Sequence, residues 1–224
     1  MQRIFADIVN NQVLLSNEDL HHIATVKRLL VGEEVEVVSN GKLYLSKVTS
    51  IKPFKLEIVK ELDTKRENKV KIHLAFSLLK GDHNSLIVEK GTELGVYSFH
   101  PFGGERTVIK VSGDDQNRIS RLSKIAKEAS MQCRRQIIPE VHSTCSFDEI
   151  LKLNIKNKLI ANELDAGKTN SLVNFLKENN NLDEVLILVG PEGGFSENEF
   201  KKAKEAGFID VSLGKRILRG ETAS

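Results

Sequence analysis

The stretch 185-VLILVGPEGGFSENEF-200 runs an apolar strand into three glycines within five residues, then into a helix start. Ser196 and Glu199 have capping-box spacing. The glycines therefore fall between a strand end and a helix start, where α/β proteins bind ligands. A phosphate there calls for bare backbone donors and usually a lysine. This loop has no lysine, and the charge of Glu192 repels a phosphate. A neutral adenosine or a cationic ligand suits it better; S-adenosylmethionine, with its sulfonium and ammonium, is one. The same residues also suit a glycine turn that only lets strand and helix pack. Spacing alone leaves both open.

Three further stretches carry residue types able to do chemistry. In 213-LGKRILRGETAS-224, Arg216 and Arg219 stand three apart after another strand and a glycine. Guanidinium groups can hold phosphate or carbonyl oxygens bidentately, although the stretch also reads as a basic surface turn. In 80-KGDHNSLIVEKGTELGV-96, Lys80 and Asp82 sit at a strand-to-helix turn, with Asp82 first of all a helix cap. Glu89 and Glu93 share a helical face, as solvated or salt-bridged pairs do. In 128-EASMQCRRQIIPE-140, Arg134 and Arg135 end a long helix, where cations offset the dipole as readily as they contact RNA.

The elements that must position these residues fall into two periods. Runs 33–38 and 42–48 alternate apolar and polar side chains around Asn40-Gly41, a strong hairpin signal. With 54–59, 3–9 and 12–15 they make five short strands. Ser16 and Asp19 cap a helix over 17–30 that Gly32 ends. The whole reads as a small closed barrel. The charged run 60–71 marks a linker. Beyond it, strands 72–79, 96–102, 158–163, 185–190 and 208–214 alternate with helices 83–94, 114–135, 170–178 and 196–206. That alternation predicts a parallel α/β sheet.

Composition narrows the class. The chain has 224 residues, 40% of them apolar and 29% charged, enough for two modest domains with real cores. The net charge of +2 does not by itself announce nucleic acid. No run has the length of a membrane span and no apolar secretory segment follows Met1, so the reading is cytoplasmic, with no membrane partner. Cys133 and Cys145 lack metal-ligand spacing; no metal is expected, and the thiols read as reduced.

Together the motifs carry a resemblance that none carries alone. KGD (80–82), EKGTELGV (89–96), ER (105–106), EASMQCRR…PE (128–140), GPEGGF (190–195) and LGKRILRGETA (213–223) resemble the RsmE family. Its members are S-adenosylmethionine-dependent methyltransferases of uridine N3 in small-subunit (16S) ribosomal RNA, of the SPOUT superfamily. The resemblance covers nearly the whole chain. It implies an α/β SPOUT-type methyltransferase domain with a C-terminal trefoil knot over 69–224, preceded by a PUA-like RNA-binding β-barrel over 1–68.

For the site, the resemblance implies that Leu188, Gly190, Gly193 and Gly194 wrap the adenosine. Leu213, Gly214, Ile217 and Leu218 form the other side, and Glu163 a third edge. Catalysis is expected from Arg219 or Arg106, holding a uracil carbonyl, and from Glu221 as the nearest proton acceptor. RNA contacts are expected from Arg3, His22 and Arg28 in the barrel and from Lys80, Arg134 and Arg135 beyond it. The implied partner is 16S ribosomal RNA, within an assembled small subunit, and the implied assembly a homodimer. Two departures stand out. Gly220 replaces the usual threonine, and the family pattern continues past ETA into a final helix where this sequence stops at Ser224. The resulting expectation is an incomplete pocket and a weakened dimer. The alternatives are a ribose 2′-O methyltransferase of the same superfamily and a non-catalytic RNA-binding relic.

Overall fold

The computed structural model describes residues 1–21, 23, 29–64, 66–109, 115–162 and 171–224. The chain divides into two units, Met1–Glu67 with Ser130–Ile137, and Asn68–Ala129 with Ile138–Ser224. The segment 130–137, which sequence alone placed in the second domain, thus groups with the first.

The first unit holds β1 (Gln2–Phe5), β2 (Asp7–Val9), β3 (Gln12–Leu14), α1 (Asn17–His21), β4 (Glu34–Ser39), β5 (Lys42–Ile51) and β6 (Phe54–Leu62). Asn40 and Gly41 take φ of 49° and 74°, the left-handed pair that a tight β4–β5 hairpin needs. The strands form one sheet in the order β1-β4-β5-β6-β3-β2. Its two edge strands, β1 and β2, are separated in sequence by Ala6 alone, so the edges must meet and the sheet closes on itself. The predicted strand 3–9 is therefore two strands, bent at Ala6, whose N–H bonds Val38. Ile4, Ile23, Val35, Val37, Val48 and Leu56 fill the interior. Ser16 caps α1 as predicted, accepting from Asp19 N at 3.1 Å. The described helix is Asn17–His21, and residues 22 and 24–28 of the expected helix 17–30 lie outside the described residues.

The second unit alternates strands with helices. They are β7 (Lys71–Ser77), α2 (His83–Leu94), β8 (Ser98–Gly103), α3 (Gln116–Gln132), β9 (Glu140–Val141), β10 (Cys145–Ser146), α4 (Phe147–Leu151), β11 (Lys158–Ala161), α5 (Leu172–Glu178), β12 (Glu184–Val189), α6 (Glu197–Glu205), β13 (Ile209–Val211) and α7 (Gly220–Ala223). The last turn of α3 belongs to the first unit. The sheet is parallel throughout, in the order β10-β8-β7-β12-β11-β13, with β9 also on β8. Successive side chains on a strand take opposite faces. Leu74, Phe76 and Phe99 accordingly pack on one face with Ile87 and Val88 of α2 and Leu122 and Ala126 of α3. Ala75, Phe102, Ile160, Leu186 and Leu188 pack on the other with Phe147, Ile150 and Ala203. Each fully buried Leu, Ile, Val or Phe among them contributes about 1.5–3 kcal/mol.

The strand order constrains the path of the chain beyond β13. That strand is the edge outside β11, yet α7, a few residues later, packs on α2. The chain after β13 must recross the carboxyl ends of β11 and β12 to get there. No helix among the described residues is long and apolar enough to cross a membrane.

Candidate functional site

The recrossing segment and the loop after β12 face each other across a cavity of about 440 Å³ at the carboxyl ends of the strands. That volume falls in the range of small-molecule sites, and that end of an open parallel sheet is where such ligands sit.

The loop after β12 is shaped by glycine for two different reasons. Gly194 adopts φ of 67° and donates to Pro191 O at 2.9 Å, which closes the turn. Gly190 has an ordinary φ, but a Cβ on it would come within 3.0 Å of the Phe195 ring. Glu192, the carboxylate that makes the loop unsuitable for phosphate, accepts from Lys80 N at 3.3 Å. Ser196 and Glu199 form the expected capping box at the start of α6. Glu199 is buried and does more than cap, because its Oε1 also accepts from Glu105 N at 2.8 Å. Glu105 in turn takes Asn198 Nδ2 at 3.0 Å. Hydrogen bonds from Ser196 and Asn198 hold the Glu105 carboxyl below the usual carboxylate range. Arg106 Nη1 donates to Gly193 O at 2.9 Å. The 104–107 loop and the glycine loop are thus fastened together.

The opposite wall comes from 213–223. Gly214, at φ 134°, turns the chain out of β13. Ile217 lines the cavity and is 73% exposed. Gly220 starts α7 where a Cβ would press on Leu79 at 3.0 Å. The threonine expected there would require Leu79 to move.

Of the residues predicted for the cofactor, Gly190, Gly194, Leu213, Gly214, Ile217 and Leu218 line this cavity. Two do not. Leu188 is fully buried in the core beneath β12. Gly193 lies outside the lining, and its carbonyl faces Arg106. Glu163 lies outside the described residues, as do His22 and Arg28. Among the predicted catalytic residues Arg219 and Glu221 line the cavity, while Arg106 is bound to the back of the glycine loop. Sequence reasoning missed Asn162, Phe195 and His83, all lining, while Arg216, which it singled out beside Arg219, lines the cavity too. Phe195 sits within a quoted motif, and Asn162 falls inside the predicted strand 158–163, directly after the observed β11.

The expected RNA residues separate sharply. Lys80 and Arg134 are exposed. Arg3 and Arg135 are not. The Arg3 side chain is 1% exposed, pairs with Glu36 at 2.7 Å and donates to the carbonyls of Arg134 and Arg135. The Arg135 side chain is 7% exposed and pairs with Glu67 at 2.7 Å. Both expectations are corrected: each guanidinium is buried and held on a carboxylate inside the protein, out of reach of a phosphate at the surface. Asp82, expected as a cap, makes no side-chain cap bond and pairs with Arg121 at 2.6 Å. Glu89 and Glu93 both pair with the exposed Lys90, the solvated reading.

Known proteins share both the sequence pattern and this architecture. Residues 66–224 match the RNA methyltransferase domain, and residues 15–61 the RNA methyltransferase PUA domain. The chain is 32% identical to ribosomal RNA small subunit methyltransferase E of Bacillus subtilis, over 100% of this chain and 93% of that protein. The chain belongs to the RsmE family of RNA methyltransferases. A relative from Mesomycoplasma hyopneumoniae with the same name is 31% identical over 96% of this chain and 91% of its own. Two solved structures share the fold. One is a putative methyltransferase from Legionella pneumophila in complex with S-adenosylmethionine, at TM-score 0.88 and 29% identity, covering 99% of this chain and 92% of that one. The other is the ribosomal RNA small subunit methyltransferase E of Neisseria gonorrhoeae bound to S-adenosylmethionine, at TM-score 0.88 and 28% identity, covering 100% and 93%. The fold of this family member is accordingly the SPOUT-type α/β fold with its C-terminal trefoil knot, behind a PUA-like barrel.

Proposed function

We infer that this chain is an S-adenosylmethionine-dependent methyltransferase that modifies uridine N3 in 16S ribosomal RNA. The observation that carries the reading is the glycine-walled cavity at the knot, in a family of RNA methyltransferases. The residues present fit the cofactor. Gly190 and Gly194, facing the apolar Leu213, Ile217 and Leu218, suit a nearly neutral adenosyl group, and Glu192 in the same lining disfavours a phosphate.

Bound S-adenosylmethionine supplies an electrophilic methyl group and a neutral thioether leaving group. The chain's own residues have three tasks: to position, to polarise and to remove a proton. Uracil N3 carries a hydrogen at neutral pH, so negative charge develops on the ring as that proton leaves. Arg219, exposed on the cavity wall, is placed to hold a uracil carbonyl and stabilise that charge. The proton goes to a group in the same wall, where Glu221 is the carboxylate. N3 lies on the pairing edge, so the target base must be unstacked to enter.

Lys80 and Arg134 are proposed phosphate contacts, with residues 1–68 as RNA-binding barrel and 69–224 as catalytic domain. The substrate is proposed to be the assembled small subunit in the cytoplasm, and the assembly a homodimer, which sedimentation across a concentration series tests. The deciding experiment incubates the chain with labelled S-adenosylmethionine and small subunits lacking the modification, then reads the RNA by reverse transcription. An N3 methyl blocks pairing and stops the transcriptase. Methylation without a strong stop indicates ribose chemistry. No transfer, with no calorimetric heat from S-adenosylmethionine, indicates a binding-only protein.

A further inference from the structure

Of the lining's polar side chains given no task in methyl transfer, Asn162, Glu192, Arg216 and His83, it is His83 that faces Glu221. His83 opens α2 directly after the Lys80-Gly81-Asp82 turn, and its Nδ1 lies 3.6 Å from Glu221 Oε1 on α7. Both line the cavity, but not equally: the His83 side chain is 44% exposed and that of Glu221 only 13%. The ring is the accessible member and the carboxylate its shielded neighbour.

The surrounding chain fixes this pair from both sides. Asn84 is buried and clasps Leu79, accepting from its N–H at 2.9 Å and donating to its carbonyl at 2.7 Å, which pins the start of α2. Gly220 lets α7 come close, since its missing side chain is where Leu79 sits. Of the other carboxylates nearby, Asp82 pairs with Arg121 at 2.6 Å, and Glu192 accepts from Lys80 N at 3.3 Å. Arg216 and Arg219 are the cations of the same wall.

We propose that His83 accepts the N3 proton of the target uracil, with Glu221 as its positioning carboxylate. The assignment rests on the uridine-N3 reading. A neutral imidazole carries one N–H and one lone pair. Nδ1–H turned toward Glu221 leaves Nε2 as the acceptor. The N3 proton passes to Nε2, and the electron pair of the broken N–H bond stays on N3 as the nucleophile. The imidazolium so formed lies beside the Glu221 carboxylate and later returns its proton to water. This is the orienting logic of carboxylate–imidazole pairs, in which the acid fixes the tautomer and the ring moves the proton.

The first test needs no activity. Nitrogen NMR of the full chain labelled at histidine, at mildly alkaline pH, should show His83 protonated on Nδ1. Its signal is assigned by its loss in His83→Gln. In Glu221→Gln the ring should revert to the Nε2–H form. The second test is single-turnover methylation of small subunits. His83→Ala should lose about 10²-fold or more, with S-adenosylmethionine affinity by calorimetry unchanged and added imidazole restoring part of the rate. Arg219→Ala should show no such rescue. An Nε2-protonated His83 in the unsubstituted chain, or a His83→Ala rate close to the original, overturns the proposal. A chain that methylates ribose, or nothing, overturns the uridine-N3 reading instead and takes this assignment with it.

Discussion

Arg3 and Arg135 share a side chain with Arg106 and Arg219, and the sequence assigns all four to RNA or its bases. Their surroundings divide them. The first two are buried on carboxylates, Arg3 on Glu36 and Arg135 on Glu67, and Arg3 also binds two backbone carbonyls. The second two are exposed at the knot, Arg106 on a single carbonyl and Arg219 on the cavity wall. An arginine's chemistry is set less by its motif than by which acceptors reach it first. Substituting each in turn should therefore produce different kinds of loss.

The largest effect is expected at Arg3. Arg3→Leu strands Glu36, whose side chain is 12% exposed, without its partner. Breaking a buried pair from one side costs about 3–5 kcal/mol. Thermal or urea unfolding should show that loss, whereas the double variant Arg3→Leu/Glu36→Leu should recover much of it. If Arg3→Leu instead unfolds like the parent and only RNA affinity falls, Arg3 belongs with the RNA-facing group and the comparison collapses.

Arg219→Ala should do the reverse. Stability and S-adenosylmethionine affinity should hold, while single-turnover transfer falls about 10²-fold, the usual cost of one donor to a developing anion. A rate loss matched by an equal loss of RNA affinity would make Arg219 a binding residue.

Arg106→Ala should be milder. It removes one donor to Gly193 O from an exposed guanidinium, worth about 1 kcal/mol. Calorimetry should show S-adenosylmethionine bound several-fold more weakly, because the glycine loop loses one fastening while the Glu199 bond to Glu105 N remains. Gly193→Ala tests the same contact from the other side. Its Cβ would meet Arg106 at 3.6 Å, an ordinary contact, so binding should persist.

These contrasts also show which features can be read from sequence. The glycine loops could be read because their requirement is local: a positive φ at Gly194 and Gly214 and the absence of a side chain at Gly190 follow from the turn itself. The capping box at Ser196 and Glu199 and the Asn40-Gly41 hairpin are local in the same sense. The fate of Arg3 is not, since its acceptors lie 33, 131 and 132 residues away. Glu67 meets Arg135 across 68 residues, and for that reason the charged run 60–71 looked like a linker only. Removing residues 1–68 to isolate the second domain would also strip Arg135 of Glu67, so RNA binding by that fragment would not cleanly report the barrel. The strands β9 and β10 escaped notice because two residues carry no period. The His83–Glu221 pair escaped because its members lie on elements that only the knot's recrossing brings together.

The smallest effect should come from Arg134, which sits between the two groups. Its backbone is left-handed, at φ 64°, and that turn aims its carbonyl at the Arg3 guanidinium while its own side chain is exposed. Backbone and side chain thus have separate tasks, and Arg134→Gly separates them. Glycine adopts this φ without the strain of a Cβ but is more flexible when unfolded, so stability should change by no more than about 1 kcal/mol. The carbonyl stays where Arg3 needs it. Only the cation is lost, and each phosphate contact accounts for about 0.9 of the slope of log affinity against log salt. Binding of small-subunit RNA across a salt series should therefore show a slope shallower by just under one unit, with unfolding nearly unchanged. An unaltered slope would assign Arg134 wholly to the buried group, as the turn that presents a carbonyl to Arg3.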